Sequence, residues 1–509
     1  MDRSHFGTID SITHLWKGLG LPEKALTAIR LPGVDAIGLP SSFKIGHLAQ
    51  ASITLTALLA ALIISERNRH RGIPTVTVPL QHALLEFRSE RFYSIDGARM
   101  PLAWGPIGGL HKTSDGYVRV HDSFPNHRAG TKKLLGCPED ADRDTVGAKI
   151  ARWRSVDLEN AAVDAEVVIA ALRTYEQWDV LPHARAIKDF PIQIRKIPDD
   201  DGGGGDGLLA LWPEGILNAN SSGHADKCLR GLRVLEMSRV IAAPVAGRTL
   251  AAHGAEVLWI TSPRLPDLPS LDRDTGRGKR TASLDISRAE DMETLLSLID
   301  DADVFLQGYR PGSLSARGLS PETLATRRRE KGKRGIVCAN LSAYGPDGPW
   351  SARRGFDSLV QTCSGMNASE AEHFSGQTTE PSELAAKPTP CQALDHASGY
   401  FLAAGVMAAL YRQAQEGEGG GPSSSYEVSV SLAATMKYLR SLGQYDGQSG
   451  FQCNDPFATL EDVPDDYLEE HMSGFGLLKA VKHSAAIDGV PVGWDVMPKP
   501  LGSDEPRWL

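Results

Sequence analysis

Between residues 233 and 340 short apolar runs alternate with amphipathic stretches, and this rhythm restricts the fold more than any other feature of the chain. Arg233-Val234-Leu235-Glu236, residues 256–260, Ser283-Leu284-Asp285-Ile286, Val304-Phe305-Leu306-Gln307 and residues 336–340 read as strands. Residues 244–253, 289–299 and 321–329 read as the helices between them. Strands separated by helices of this length pair in parallel, so the expected class is α/β: a doubly wound, mainly parallel, Rossmann-like large domain. Such sheets bind ligands outside the carboxyl ends of their strands. That directs attention to the loops 237–243, 261–264, 308–312 and 341–345.

At 509 residues the chain exceeds one ordinary core. Residues 48–64 form a strongly apolar helix, followed by a strand at 75–78 and a helix at 82–87. Residues 107–121 alternate around Ser114-Asp115-Gly116, the signature of a hairpin in a smaller α+β domain. The acidic, glycine-rich run 199–206 reads as a linker, since its carboxylates would repel phosphate. The expected division is therefore 1–198, a linker at 199–228, the large domain at 229–445 and a tail at 446–509.

A net charge of −9 supplies no basic field for nucleic acid or an anionic membrane surface. The six cysteines form no CxxC pair, which argues against structural zinc and a disulfide framework and fits a reducing compartment. No His/Asp/Glu cluster has metal-ligand spacing. The apolar run 53–64 is too short to span a bilayer, and Met1-Asp2-Arg3-Ser4 does not open a signal peptide, so the expected location is cytoplasmic.

The run Pro390-Cys391-Gln392-Ala393-Leu394-Asp395-His396 places a carboxylate at the mouth of an otherwise apolar helix. Asp395 is either an N-cap or a charge held for chemistry by the helix dipole and free N–H groups. An internal repeat bears on that choice. Leu394-Asp395-His396-Ala397-Ser398 and Leu48-Ala49-Gln50-Ala51-Ser52 both open apolar helices, each followed by a loop, a strand and a helix. Asp395 corresponds to Ala49, so packing does not demand the carboxylate.

Residues 229 to about 442 resemble the class III CoA-transferases of the CaiB/BaiF type, which include formyl-CoA and carnitine-CoA transferases. The resemblance lies in Leu229-Arg230-Gly231-Leu232-Arg233-Val234-Leu235-Glu236, Ser238-Arg239-Val240, Gly254-Ala255-Glu256-Val257, Tyr309-Arg310-Pro311-Gly312, Tyr344-Gly345-Pro346 and Gly355-Phe356-Asp357. Residues 48–195 look like the later part of the same family and residues 474–509 like its tail. The chain thus resembles a rearranged two-half version with a degenerate N-terminal half, in a family of interlocked, ring-like protomers.

The resemblance implies a CoA-transferase that moves CoA from an acyl-CoA donor to a carboxylic acid. Asp395 would be the nucleophile, working through an aspartyl anhydride and an aspartyl-CoA thioester. It implies CoA contacts at Arg239, Val240, Leu284, Tyr309 and Tyr344, with Arg310 and Lys279-Arg280 as phosphate partners by charge. CoA or acyl-CoA is then a substrate, with no permanently bound cofactor and no metal. The expected state is a homodimer or a pseudo-dimeric monomer, with no nucleic-acid or membrane partner. Trp259, Thr261, Ala316 and Ser342 depart from the family pattern. Acyl-CoA racemases of the same fold carry Gly-His-Asp where Phe356 stands here, so one acid/base partner is missing and His396 reads as structural. A non-catalytic CoA-binding protein is the remaining alternative.

Overall fold

The computed structural model describes residues 1–68, 72–101, 103–198, 226–375, 385–418, 423–453 and 455–509. The linker expected at 199–206 lies outside them.

A seven-stranded sheet forms the large domain. Its strands, in spatial order, are Lys279–Ser283, Glu256–Thr261, Arg233–Met237, Val304–Gln307, Val337–Ser342, Tyr426–Ser431 and Ile192–Lys196. The first six run parallel and the last is antiparallel. Alternate residues face opposite layers, as a strand requires. Val234, Val257, Val304 and Val337 enter the main core, whereas Leu235, Leu258, Phe305 and Cys338 enter a second apolar cluster. The chain is thus a mixed α/β protein with a parallel-rich sheet. Strand order reverses between Arg233–Met237 and Val304–Gln307, the place where a parallel sheet is expected to offer a ligand crevice.

One expected strand is shifted. It runs Lys279–Ser283 rather than 283–286, because Lys279 and Arg280 are buried against partners instead of solvated. Lys279 Nζ lies 2.9 Å from Glu236 Oε1 and donates to the Pro244 carbonyl at 2.8 Å. Arg280 donates to the Arg507 carbonyl at 2.7 Å and pairs with Glu256. Neither is left free as a phosphate partner.

Helix Ala393–Glu418 crosses the centre of the main core between Ala242–Ala252 and Ile45–Arg67. Gly399 permits the first approach: a Cβ there would meet the Ala242 carbonyl at 2.6 Å and Val245 Cβ at 2.7 Å. Ile45–Arg67 is longer than the apolar run in the sequence, since Gln50, Ser52, Thr54 and Thr56 are also buried and bond to carbonyls. It is long and apolar enough to cross a membrane, yet its most apolar window lies wholly inside the protein.

The hairpin is Gly109–Lys112 paired with Tyr117–Val120, extended by Ile169–Ala171 into a three-stranded antiparallel sheet. One face carries Val118, Val120 and Ile169 into a small core of its own. The other face, with Val168 and Ala170, packs towards the large domain, where helix Asp357–Cys363 lies against it. The C-terminal tail returns to the edge strand of the large sheet: Gly278 N–H donates to the Val496 carbonyl and Thr281 N–H to Asp504.

Candidate active site

Asp395 is the third residue of helix Ala393–Glu418, inside the first turn and so not its N-cap. The capping carboxylate is Asp357. Its Oδ2 accepts the N–H of Leu394 at 2.9 Å and of Asp395 at 3.0 Å, and its Oδ1 accepts the Gln361 amide. A side chain from another helix thus satisfies donors that a helix start leaves orphaned. Those N–H groups, expected to face a developing oxyanion, are already occupied. The Asp395 carboxylate itself accepts no hydrogen bond from any described residue and is 8% exposed.

It opens into a cavity whose wall is mostly apolar: Val240, Ile241, Leu268, Leu271, Phe356 and Trp104. Three acids meet there, Asp395, Asp357 and Glu90. Burial pushes the Asp395 carboxyl well above the ordinary carboxylate range, and the charges of Asp357 and Glu90 add to the shift. Burial also raises Asp357, to about 6, although its N–H donors and Gln361 oppose the change. Glu90 goes the other way. Burial would raise it, but the hydrogen bond and charge of His396, 3.1 Å away, hold it below its usual value. His396, expected to be structural, is therefore the partner of an acid that lines the cavity. Asp395 therefore holds its proton more tightly than its residue type alone implies.

Val240 lies on the cavity wall with φ +75°, a left-handed conformation that a β-branched residue adopts only under constraint. It follows the Arg233–Met237 strand, at the crevice where strand order reverses. Its neighbour Arg239 places its guanidinium 4.4 Å above the Phe124 ring and donates to the Pro266 carbonyl. Arg239 and Val240 also line an adjoining cleft with Trp259, Thr261, Asp267 and Asp272. Burial raises Asp272 to about 7, with the Asp267 charge adding to it. Tyr309 lies within the electrostatic reach of Arg239. Arg310 and Tyr344 are brought together in a different cleft beside Arg353 and Arg354, where Arg310 donates to the Ala352 carbonyl. Leu284 is buried in the second apolar cluster with Leu258 and Ile260.

Glu90, Trp104 and His121 reach the cavity from the N-terminal part of the chain. His121 stacks on Phe356 with ring centroids 4.0 Å apart, and burial lowers its imidazole to about 3. None carries a local motif. Residue 121 closes the hairpin pattern, which fixes its face of the strand but not the element opposite.

Residues 229–449 match the family described as CoA-transferase family III. The chain is 27% identical over 350 residues to the acetyl-coenzyme A transferase nodX of Hypoxylon pulicicidum, covering 67% of this chain and 55% of that protein. It is 34% identical over 226 residues to the probable fatty acyl-CoA transferase Rv3272 of Mycobacterium tuberculosis, covering 41% of this chain and 53% of the relative. The chain therefore spans about half the length of each of these relatives. The crystal structure of a CaiB/BaiF family protein from Brucella suis aligns at 22% identity and a TM-score of 0.34, over 49% of this chain and 64% of that one. Together with the sequence motifs, the match over the segment that carries Asp395 places residues 229–449 in CoA-transferase family III.

Proposed function

We propose that the protein is a class III CoA-transferase using Asp395 as nucleophile. The observation that carries this reading is the contrast between two adjacent acids. Both oxygens of Asp357 are committed, Oδ2 to the helix start and Oδ1 to the Gln361 amide, while those of Asp395 are uncommitted and face a largely apolar cavity. Once ionised, Asp395 attacks the thioester carbonyl of the donor; the C–S bond breaks, leaving an acyl-aspartyl anhydride and CoA thiolate. The thiolate attacks the aspartyl carbonyl, releasing the donor carboxylate and leaving aspartyl-CoA. An acceptor carboxylate then forms a second anhydride, and the thiolate takes its acyl group, restoring Asp395.

The residues around it support these steps. The dipole of helix Ala393–Glu418 favours the ionised form against burial. With the N–H groups of Leu394 and Asp395 occupied by Asp357, the Gln392 carboxamide and the Ser358 hydroxyl, neither with a partner among the described residues, are donors available for an oxyanion. We read the large domain as doubly wound, with CoA entering at the crevice marked by Val240 and Arg239. The two helix–loop–strand–helix units, one with Ala49 and one with Asp395, support a fused, pseudo-two-fold chain with one active half.

A second reading, isomerisation of an acyl-CoA, draws on one observation. His121 stacks on Phe356 beside Asp357, so an imidazole stands on the wall where the sequence lacked one. Labelled CoA exchange into an acyl-CoA, measured on wild type and Asp395→Ala, tests the transferase reading. Exchange in the wild type alone supports it, and no exchange in either sinks it. Solvent deuterium incorporation at the α-carbon without CoA exchange would favour isomerisation.

A further inference from the structure

Resting on the transferase reading, we infer that Arg119 anchors the carboxylate of the acceptor acid, and that the acceptor is a monocarboxylate with an apolar body.

The cavity poses an electrostatic problem. An acceptor must enter as an anion beside Asp357 and Glu90, which converge on the thioester-bearing Asp395. Like charges there repel it unless a cation is present. Arg91 also lines the cavity, but it donates to the Pro390 carbonyl at 3.0 Å and sits 3.5 Å from Glu90. Its charge serves an acid already in place.

Arg119 is differently situated. It lies on the central strand of the small sheet, Tyr117–Val120, paired with Leu110 and Ala170. Its neighbours Val118 and Val120 point into the small core. By the two-residue period of a strand, Arg119 and His121 share the opposite face, and His121 lines the cavity. Helix Asp357–Cys363 packs across that same face and begins at the capping acid. Arg119 is half-buried, yet its guanidinium makes no hydrogen bond or ion pair with any described residue. Asp357 cannot turn to it, because both its oxygens are committed elsewhere. Burial disfavours the Arg119 cation and the Asp357 charge restores part of the loss. A desolvated guanidinium without a partner costs stability. A carboxylate offers it a bidentate one.

The rest of the wall defines the body of that acid. Ile241, Leu268, Leu271 and Phe356 provide apolar area. A second carboxylate would meet either this surface or the resident acids Asp357 and Glu90. Held by Arg119, the acceptor oxygen forms its bond to the Asp395 carbonyl carbon of aspartyl-CoA as the C–S bond breaks and the thiolate leaves.

The test uses the full chain, octanoyl-CoA, and isotopically labelled octanoate or glutarate as acceptor, label entering the acyl-CoA pool being the product. In Arg119→Gln the KM for octanoate should rise about tenfold or more beyond any change in CoA exchange, with partial recovery in Arg119→Lys. Wild type should prefer octanoate to glutarate. Direct octanoate binding to wild type and Arg119→Gln, followed by calorimetry, reads the anchor independently of turnover. Equal affinities would overturn the inference even where CoA exchange is intact, and so would a rise in KM confined to CoA, which would assign Arg119 to the nucleotide. Loss of CoA exchange in the wild type would instead remove the transferase reading, and the anchor with it.

Discussion

Asp357 Oδ2 accepts two consecutive N–H groups at the start of the helix that carries Asp395, at 2.9 and 3.0 Å, and thereby frees the second carboxylate from any structural bond. One acid positions the helix start, and under the proposed reading the other is left to react. The arrangement also places two negative charges at one helix start, where each raises the proton affinity of the other.

The first consequence concerns the acid side of the pH–rate profile. Asp395 must ionise to attack, and burial, Asp357 and Glu90 all disfavour its charge. The rate should therefore rise with pH along a limb lying above the ordinary carboxylate range. Asp357→Asn removes one repelling charge while Oδ1 of Asn can still accept an N–H, so the limb should move to lower pH. An unmoved limb would separate Asp357 from the titration.

Stability should carry the opposite mark of the same charges. An acid whose pKa is raised on folding contributes stability that is fully present below its unfolded value, near 3.8, and lost as pH rises through the folded value, about 6 for Asp357. At neutral pH the pair is a cost. Asp395→Asn should raise unfolding stability at pH 7.5 by about 1 kcal/mol or more, and by less at pH 4.5. Thermal unfolding of both proteins at the two pH values checks this.

Val240 stores strain at the crevice, with φ +75°. Val240→Gly relieves an amount on the order of 1–3 kcal/mol and removes a small apolar wall. Denaturant unfolding should show no loss of stability, while the KM for acyl-CoA rises. A clear loss of stability would mean that the side chain contributes more by packing than it costs in backbone strain.

Lys279 is a structural cation. With Glu236 fully buried beside it, Lys279→Met leaves an uncompensated buried carboxylate and should cost about 3–5 kcal/mol. The double replacement Lys279→Met with Glu236→Gln should recover much of that loss. Equilibrium unfolding of the single and double variants measures it.

These outcomes also show what could be read from the chain beforehand. The parallel sheet follows from local apolar runs, because period and spacing encode strands and the helices between them. Asp395 could be singled out because a helix start and a repeat in which Ala49 replaces it both lie in local text. The cap could not: Asp357 is 38 residues away in another helix. Glu90 and His121 come from far upstream, and only tertiary packing, for His121 that of the small sheet on helix Asp357–Cys363, brings them to the site. Lys279 and Arg280 misled in the reverse direction. Charge in a short run suggests solvent, and the partners that bury them, Glu236 and the 504–507 tail, are distant in sequence.

The central claim is that Asp395 carries the acyl group. Incubation with an acyl-CoA and hydroxylamine, followed by peptide mass spectrometry, tests it directly. The account predicts a hydroxamate on the peptide containing Asp395, formed only when acyl-CoA is present and absent from Asp395→Asn. Release of CoA without modification at Asp395, or modification at another carboxylate such as Glu90 or Asp357, would contradict it.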